Sequence, residues 1–231
     1  MRVRVKICGV KRCEDVQAAV EAGADAIGFN FVPSSPRFLS LEEAALLARF
    51  VPPFVARVGV WVNPRREEIE RILSLLPLEA IQLHGKEPPE FCASLSPRPV
   101  LKALRVREEA DIERIGEFLG AVQGVVLDAF VPGQWGGTGL TFPWEWALRA
   151  KERFPEMPLI LSGGLTPENV AEAVRQVRPY GVDVSSGVER ERGVKDWERI
   201  RRFLQAVRDC EREWETTGVP RTPRPPSSPA I

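Results

Sequence analysis

Two short loops near the C-terminal end have the composition to hold a phosphate: Leu161-Ser162-Gly163-Gly164 and Val184-Ser185-Ser186-Gly187. Each follows an apolar, strand-like run, Met157–Leu161 and Tyr180–Val184, and each precedes a helix-like stretch. Glycine lets backbone N–H groups come close to a ligand, and a helix N-terminus adds partial positive charge. Two such loops in succession, after the last two strands of a repeating β/α chain, form the phosphate cradle of a (β/α)8 barrel. Neither loop contains Lys or Arg. The phosphate is therefore expected on Gly163, Gly164, Ser185, Ser186 and Gly187, held by backbone amides and a short helix beginning near Gly187, with little or no cationic side-chain help. The plainer reading is that these glycines serve tight turns only.

Other strand ends carry reactive groups. The first apolar run ends Lys6-Ile7-Cys8-Gly9, another ends Gln82-Leu83-His84-Gly85, and a third ends Leu127-Asp128 before the glycine-rich Trp135-Gly136-Gly137-Thr138-Gly139. A thiol titrates near ~8.5 and becomes a useful general base when a cation or aligned dipoles stabilise its thiolate. A solvated Asp titrates near ~3.9 and is ionised at neutral pH, so a strand-end carboxyl acts as an acid only when it is desolvated or when bound substrate meets that need. Read in isolation, Cys8 is a buried strand cysteine and Asp128 a turn residue. His84 is the sole histidine in the chain.

Positioning these groups takes alternating strands and helices. Strand-like stretches fall at 3–8, 25–31, 55–62, 79–83, 99–104, 124–128, 157–161 and 180–185. Helical stretches fall at about 14–23, 41–51, 65–76, 88–95, 108–119, 143–153, 167–177 and 195–212. This alternation predicts an α/β fold, a single (β/α)8 TIM barrel over 1–212, with a doubly wound open sheet as the alternative. Thr166-Pro167-Glu168 and Asn63-Pro64 read as helix starts, and Gly23 as a helix stop. From 216 to 231 the chain is Pro-rich and aperiodic, and it predicts a disordered tail.

Composition narrows the partners. Thirty-two basic and 32 acidic residues give a formal charge of +0, so no global field draws in nucleic acid or an anionic membrane. Arg65-Arg66 and Arg201-Arg202 read as solvated helix faces. Cys8, Cys13, Cys92 and Cys210 match neither a metal-ligand spacing nor a disulfide scaffold, so reduced thiols in a cytoplasmic protein without metal are expected. The opening Arg2-Val3-Arg4-Val5-Lys6 is a strand pattern rather than a signal peptide, and no run is long enough to span a bilayer. Both a monomer and a homodimer fit the sequence.

Taken together, the motifs resemble the phosphoribosylanthranilate isomerase family from about residue 3 to 205. The resemblance rests on Lys6-Ile7-Cys8-Gly9, Ser35-Pro36-Arg37, Gln82-Leu83-His84-Gly85, Asp128 with Gly136-Gly137-Thr138-Gly139, Ser162-Gly163-Gly164-Leu165, and Asp183 through Glu189. Pro143, Ala129 and Lys11 depart from the family pattern. The resemblance implies an Amadori rearrangement of an aminoaldose phosphate to an aminoketose phosphate in tryptophan biosynthesis, without a cofactor. By the same resemblance Asp128 is the acid and Cys8 the base, and His84 lines the site with Gln82 and Asp183. Arg37 suits the anthranilate carboxylate, since guanidinium grips a carboxylate through two parallel hydrogen bonds. Lys6 either tunes Cys8 or binds substrate. Indole-glycerol-phosphate synthase would carry a lysine on the strand Val55–Val62, which has none, and a ribulose-phosphate epimerase would need several metal-ligating histidines. A non-catalytic phosphate sensor would have no use for both Cys8 and Asp128.

Overall fold

The strand segments are mainly apolar, with Lys6, Arg57, Lys102 and Arg105 as interruptions, because both faces of each are covered, as a parallel sheet wrapped by helices requires. In the computed structural model, which describes residues 2–129 and 141–216, eight parallel strands close into a barrel in sequence order. They are β1 (Arg4–Cys8), β2 (Ala26–Asn30), β3 (Ala56–Trp61), β4 (Ala80–Leu83), β5 (Val100–Val106), β6 (Gly124–Ala129), β7 (Leu159–Leu161) and β8 (Gly181–Val184). Pairing of β1 with both β2 and β8 closes the ring and sets Lys6 between Ala26 and Asp183. Every residue of β6 and β8 is buried.

The outer layer contains α1 (Cys13–Glu21), α2 (Leu41–Ala48), α3 (Arg66–Leu75), α4 (Pro89–Ala93), α5 (Trp144–Arg153), α6 (Val170–Val177) and α7 (Trp197–Thr216). Each long helix buries one stripe. On α6 the buried residues are Val170, Ala173, Val174 and Val177, and on α7 they include Ile200, Phe203, Leu204 and Val207, the i, i+3, i+4, i+7 spacing of a helix face on a core. Ser40 caps α2 in a capping box with Glu43. Gly23 ends α1 at φ 90°, as its position predicted.

Local detail refines or corrects the expected elements. The stretch after β5 is a 3-10 helix, Glu109–Phe118, whose buried Ile112, Ile115 and Phe118 recur every three residues and so suit three residues per turn. Helix α6 begins at Val170 rather than at Pro167, with Asn169 before it; Thr166 instead folds a turn, its N–H donating to Asn169 Oδ1 at 2.8 Å. Asn63 does not cap α3, which starts at Arg66. It sits at φ 49° and accepts from the Lys86 N–H across to the loop after β4. A hairpin, β9 (Glu189–Glu191) and β10 (Val194–Lys195), intervenes between β8 and the last helix. That helix runs four residues past the expected end at 212, and the Pro-rich segment beyond it lies outside the described residues.

Candidate active site

At the C-terminal ends of the strands one cleft is lined by Cys8, Arg37, Gln82, His84, Asp128 and Asp183 on its walls. Gly163, Gly164, Ser185, Ser186 and Gly187 form its rim. Of the residues singled out in the sequence, only Lys6 lies beneath the cleft rather than along it. Its ammonium donates to Gln82 Oε1 and to Asp183 Oδ2, both at 2.9 Å. These three side chains make a polar floor across the barrel, below which a separate cavity of about 430 Å³ opens toward the N-terminal face. Asp183 Oδ1 is buried without a hydrogen-bond partner among the described residues.

Cys8 stands on this floor at the end of β1. A Cβ on Gly28, the β2 residue paired with Cys8, would come within 2.7 Å of the Cys8 sulfur and 3.0 Å of Lys6 Cε, so Gly28 clears the space the two share. Burial pushes the Cys8 thiol up; Lys6 opposes that shift and the charge of Asp183 adds to it. Burial pulls Lys6 down, but Asp183 and Cys8 together hold it above its ordinary value.

Asp128, at the end of β6, is buried and meets His84 Nε2 through Oδ2 at 3.0 Å. An ionised carboxylate only accepts, so this bond places one proton either on Nε2 or on the carboxyl. The backbone around His84 is pinned from behind. Lys102 Nζ donates to Gly85 O at 2.8 Å and to Glu87 Oε2 at 2.9 Å, and Glu87 accepts from the Gly85 and Asn63 N–H groups. The loop Trp135-Gly136-Gly137-Thr138-Gly139 lies outside the described residues.

The two glycine loops touch each other. A Cβ on Gly187 would lie 1.8 Å from Leu165 O, and one on Gly163 would lie 2.3 Å from Ala129 N and 2.8 Å from Asp128 Oδ1. Gly163 and Gly164 also take φ of 78° and 66°, conformations that favour glycine. The expected helix at Gly187 is only a three-residue 3-10 turn, Ser186–Val188. A cation not seen in either loop stands behind one of them. Lys195, from β10, is fully buried behind the loop and donates to Ser185 O at 3.0 Å and Ser185 Oγ at 3.3 Å. Sequence order hides it, because it lies ten residues beyond Ser185 and reaches back only through the hairpin.

Arg37 reaches the cleft from the loop after β2 and is tied to Glu189. Its Nε donates to Oε1 at 2.7 Å and its Nη2 to Oε2 at 2.8 Å, while Nη1 takes no part in this pair. Lys195 Nζ shares Glu189 Oε1 at 3.0 Å. Burial alone would raise the Glu189 pKa, but Arg37 and Lys195 hold it down to about 2. Glu189 belonged to a recognised motif without a role, and its partners could not be read from spacing.

Comparison with known proteins points to one family. The family profile described as N-(5'-phosphoribosyl)anthranilate isomerase matches residues 5–206. A relative of that name from Thiobacillus denitrificans is 49% identical over 208 residues, spanning 90% of this chain and 99% of the relative. A crystal structure of phosphoribosyl anthranilate isomerase in complex with reduced 1-(o-carboxyphenylamino)-1-deoxyribulose 5-phosphate superposes with a TM-score of 0.80 at 43% identity, covering 90% and 99% of the two chains. A Thermotoga maritima structure, described as monomers generated from the dimeric isomerase, gives 0.80 at 42% identity with the same coverage. The chain belongs to the N-(5'-phosphoribosyl)anthranilate isomerase family.

Proposed function

We infer that this chain converts N-(5'-phosphoribosyl)anthranilate to 1-(2-carboxyphenylamino)-1-deoxyribulose 5-phosphate in tryptophan biosynthesis, the reaction that its family carries out. The observation that carries the mechanism is the convergence of Cys8 and the His84–Asp128 pair on a cleft rimmed by both glycine loops. The loop amides hold the phosphate and Arg37 takes the anthranilate carboxylate through Nη1. Asp128 gives its proton to the ribose ring oxygen; the C1'–O bond breaks and the nitrogen lone pair forms a C1'=N iminium. Cys8, as thiolate, removes the C2' proton, and the electron pair left behind neutralises the iminium to an enolamine. Tautomerisation gives the ketone. Lys6 and Asp183 set the charge around the thiolate, and His84 holds Asp128 and shares its proton. No residue in this scheme calls for a metal or an organic cofactor.

The reduced state that this chemistry requires suits the cytoplasm, and all four cysteines are free thiols. Among the described residues no helix is long and apolar enough to cross a membrane. We also infer a homodimer through the N-terminal face of the barrel. Phe54 is fully exposed there, held at φ 71° beside the 430 Å³ cavity, and such a ring is placed to enter the same cavity of a second copy. The dimeric relative from Thermotoga maritima supports that reading. The reaction is tested by mixing the purified chain with phosphoribosylanthranilate and following the anthranilate-type fluorescence. Fast enzyme-dependent decay is expected, and no decay above the spontaneous rate would refute it.

A further inference from the structure

Arg37, Glu189 and Lys195 form an unbroken buried chain in which one carboxylate serves two basic side chains. Their side chains are 9%, 4% and 0% exposed, two are cations and one an anion. A buried charge without a counter-ion is costly. Lys195 sits directly behind Ser185, on the rim where the phosphate is placed. At its other end the chain finishes in Arg37, where the carboxylate is placed. A single carboxylate, that of Glu189, joins the two.

The hairpin that carries this carboxylate and Lys195 is itself anchored on several sides. Gly193, at its turn with φ 83°, donates to Glu189 Oε2 at 3.2 Å, and a Cβ there would meet Pro36 O at 2.9 Å, next to Arg37. Arg12 Nη2 donates to Lys195 O at 3.1 Å, and Arg199 Nη1 donates to Glu189 O at 2.9 Å. Hairpin, arginine loop and phosphate loop are thus one packed unit.

We propose that Glu189 and Lys195 are positioning residues that brace the carboxylate-binding arginine against the phosphate loop, and so set the spacing between the two anionic ends of the substrate that this enzyme accepts. Lys195 supplies the cation that the phosphate loop lacks and acts through Ser185. Glu189 acts through Arg37, fixing two of its nitrogens so that the third faces one direction. The proposal rests on the isomerase reading for the identity of the two anions.

The test uses the full chain and calorimetric affinities for two separate probes, anthranilate and inorganic phosphate, alongside steady-state kinetics. Glu189→Gln is expected to weaken anthranilate about tenfold and raise KM similarly, with phosphate affinity and kcat within about threefold. Lys195→Met is expected to weaken phosphate about tenfold. In an Arg37→Ala background Glu189→Gln should do no further harm to anthranilate binding, because residues acting through one another are not additive. Glu189→Gln leaves two buried cations together, so Glu189→Gln/Lys195→Gln, which keeps the net charge, serves where the single variant does not fold; it should weaken both probes. Unchanged affinities in these variants, or losses that multiply in the Arg37→Ala background, would overturn the brace and leave a purely structural pair. Turnover by the wild type tests the isomerase reading separately, since probe affinities are read without it.

Discussion

Cys8 is pulled in two directions: burial disfavours its thiolate, and Lys6 favours it. The balance lies above the ordinary thiol value, so in the free enzyme the base is mostly protonated at neutral pH. Because kcat/KM reports the free enzyme, it should climb with pH through neutrality and continue rising past about pH 9. Cys8→Asp puts a carboxylate, already ionised at neutral pH, in the same place, and its profile should lack this rising limb. A limb that persists in Cys8→Asp would assign it to another group. At this scale the sequence was informative where a residue type and a strand end coincide, as for Cys8 and Asp128. It was silent where a role depends on a contact between distant residues. The bond from His84 to Asp128 spans 44 positions and that from Arg37 to Glu189 spans 152, and no local pattern encodes either.

The eight strands were legible because a strand covered on both faces is a short apolar run bounded by turns, and such runs recur along the chain. What escaped was set by side-chain traffic between loops. Asn63 looked like a cap, yet its carbonyl oxygen is spent on the Lys86 N–H, and this closes the β3 loop over the β4 loop. The hairpin Glu189–Lys195 had only Gly193 as a turn signal. The glycines of the rim are expected as ligand contacts, and the structure shows that Gly187 is needed where one loop packs on another. Gly187→Ala would place a methyl 1.8 Å from a backbone oxygen, which no side-chain rotation relieves. That variant should shift the two loops apart and raise KM at least tenfold, with circular dichroism still reporting a folded barrel. Gly23→Ala meets nothing within 4 Å. Its cost should be confined to stability, on the order of 1 kcal/mol for the positive φ, with KM unchanged.

In the proposed scheme the two ends of the barrel divide the work. The polar floor of Lys6, Gln82 and Asp183 separates the cleft from the cavity below, so contacts at the lower face can change without touching the site. Phe54→Glu should therefore convert a dimer to a monomer in sedimentation equilibrium while kcat stays within about twofold. A wild-type chain that sediments as a monomer would remove that interface. The barrel and the convergence of the motif residues on one cleft followed from the strand pattern, whereas the proposed assembly depends on a surface that a linear sequence does not display.

In the proposed reaction Cys8 and Asp128 carry the proton transfers while the loops and Arg37 hold the substrate, and one assay bears on all of these roles. They are tested most directly by the decay of phosphoribosylanthranilate fluorescence with wild type, Cys8→Ala and Asp128→Ala over a full substrate range. General acid–base groups are typically worth ~10²–10⁴-fold, so each variant should lose at least about a hundredfold in kcat with KM within a few-fold of wild type. Near-normal turnover in either variant would contradict the assignment of that residue.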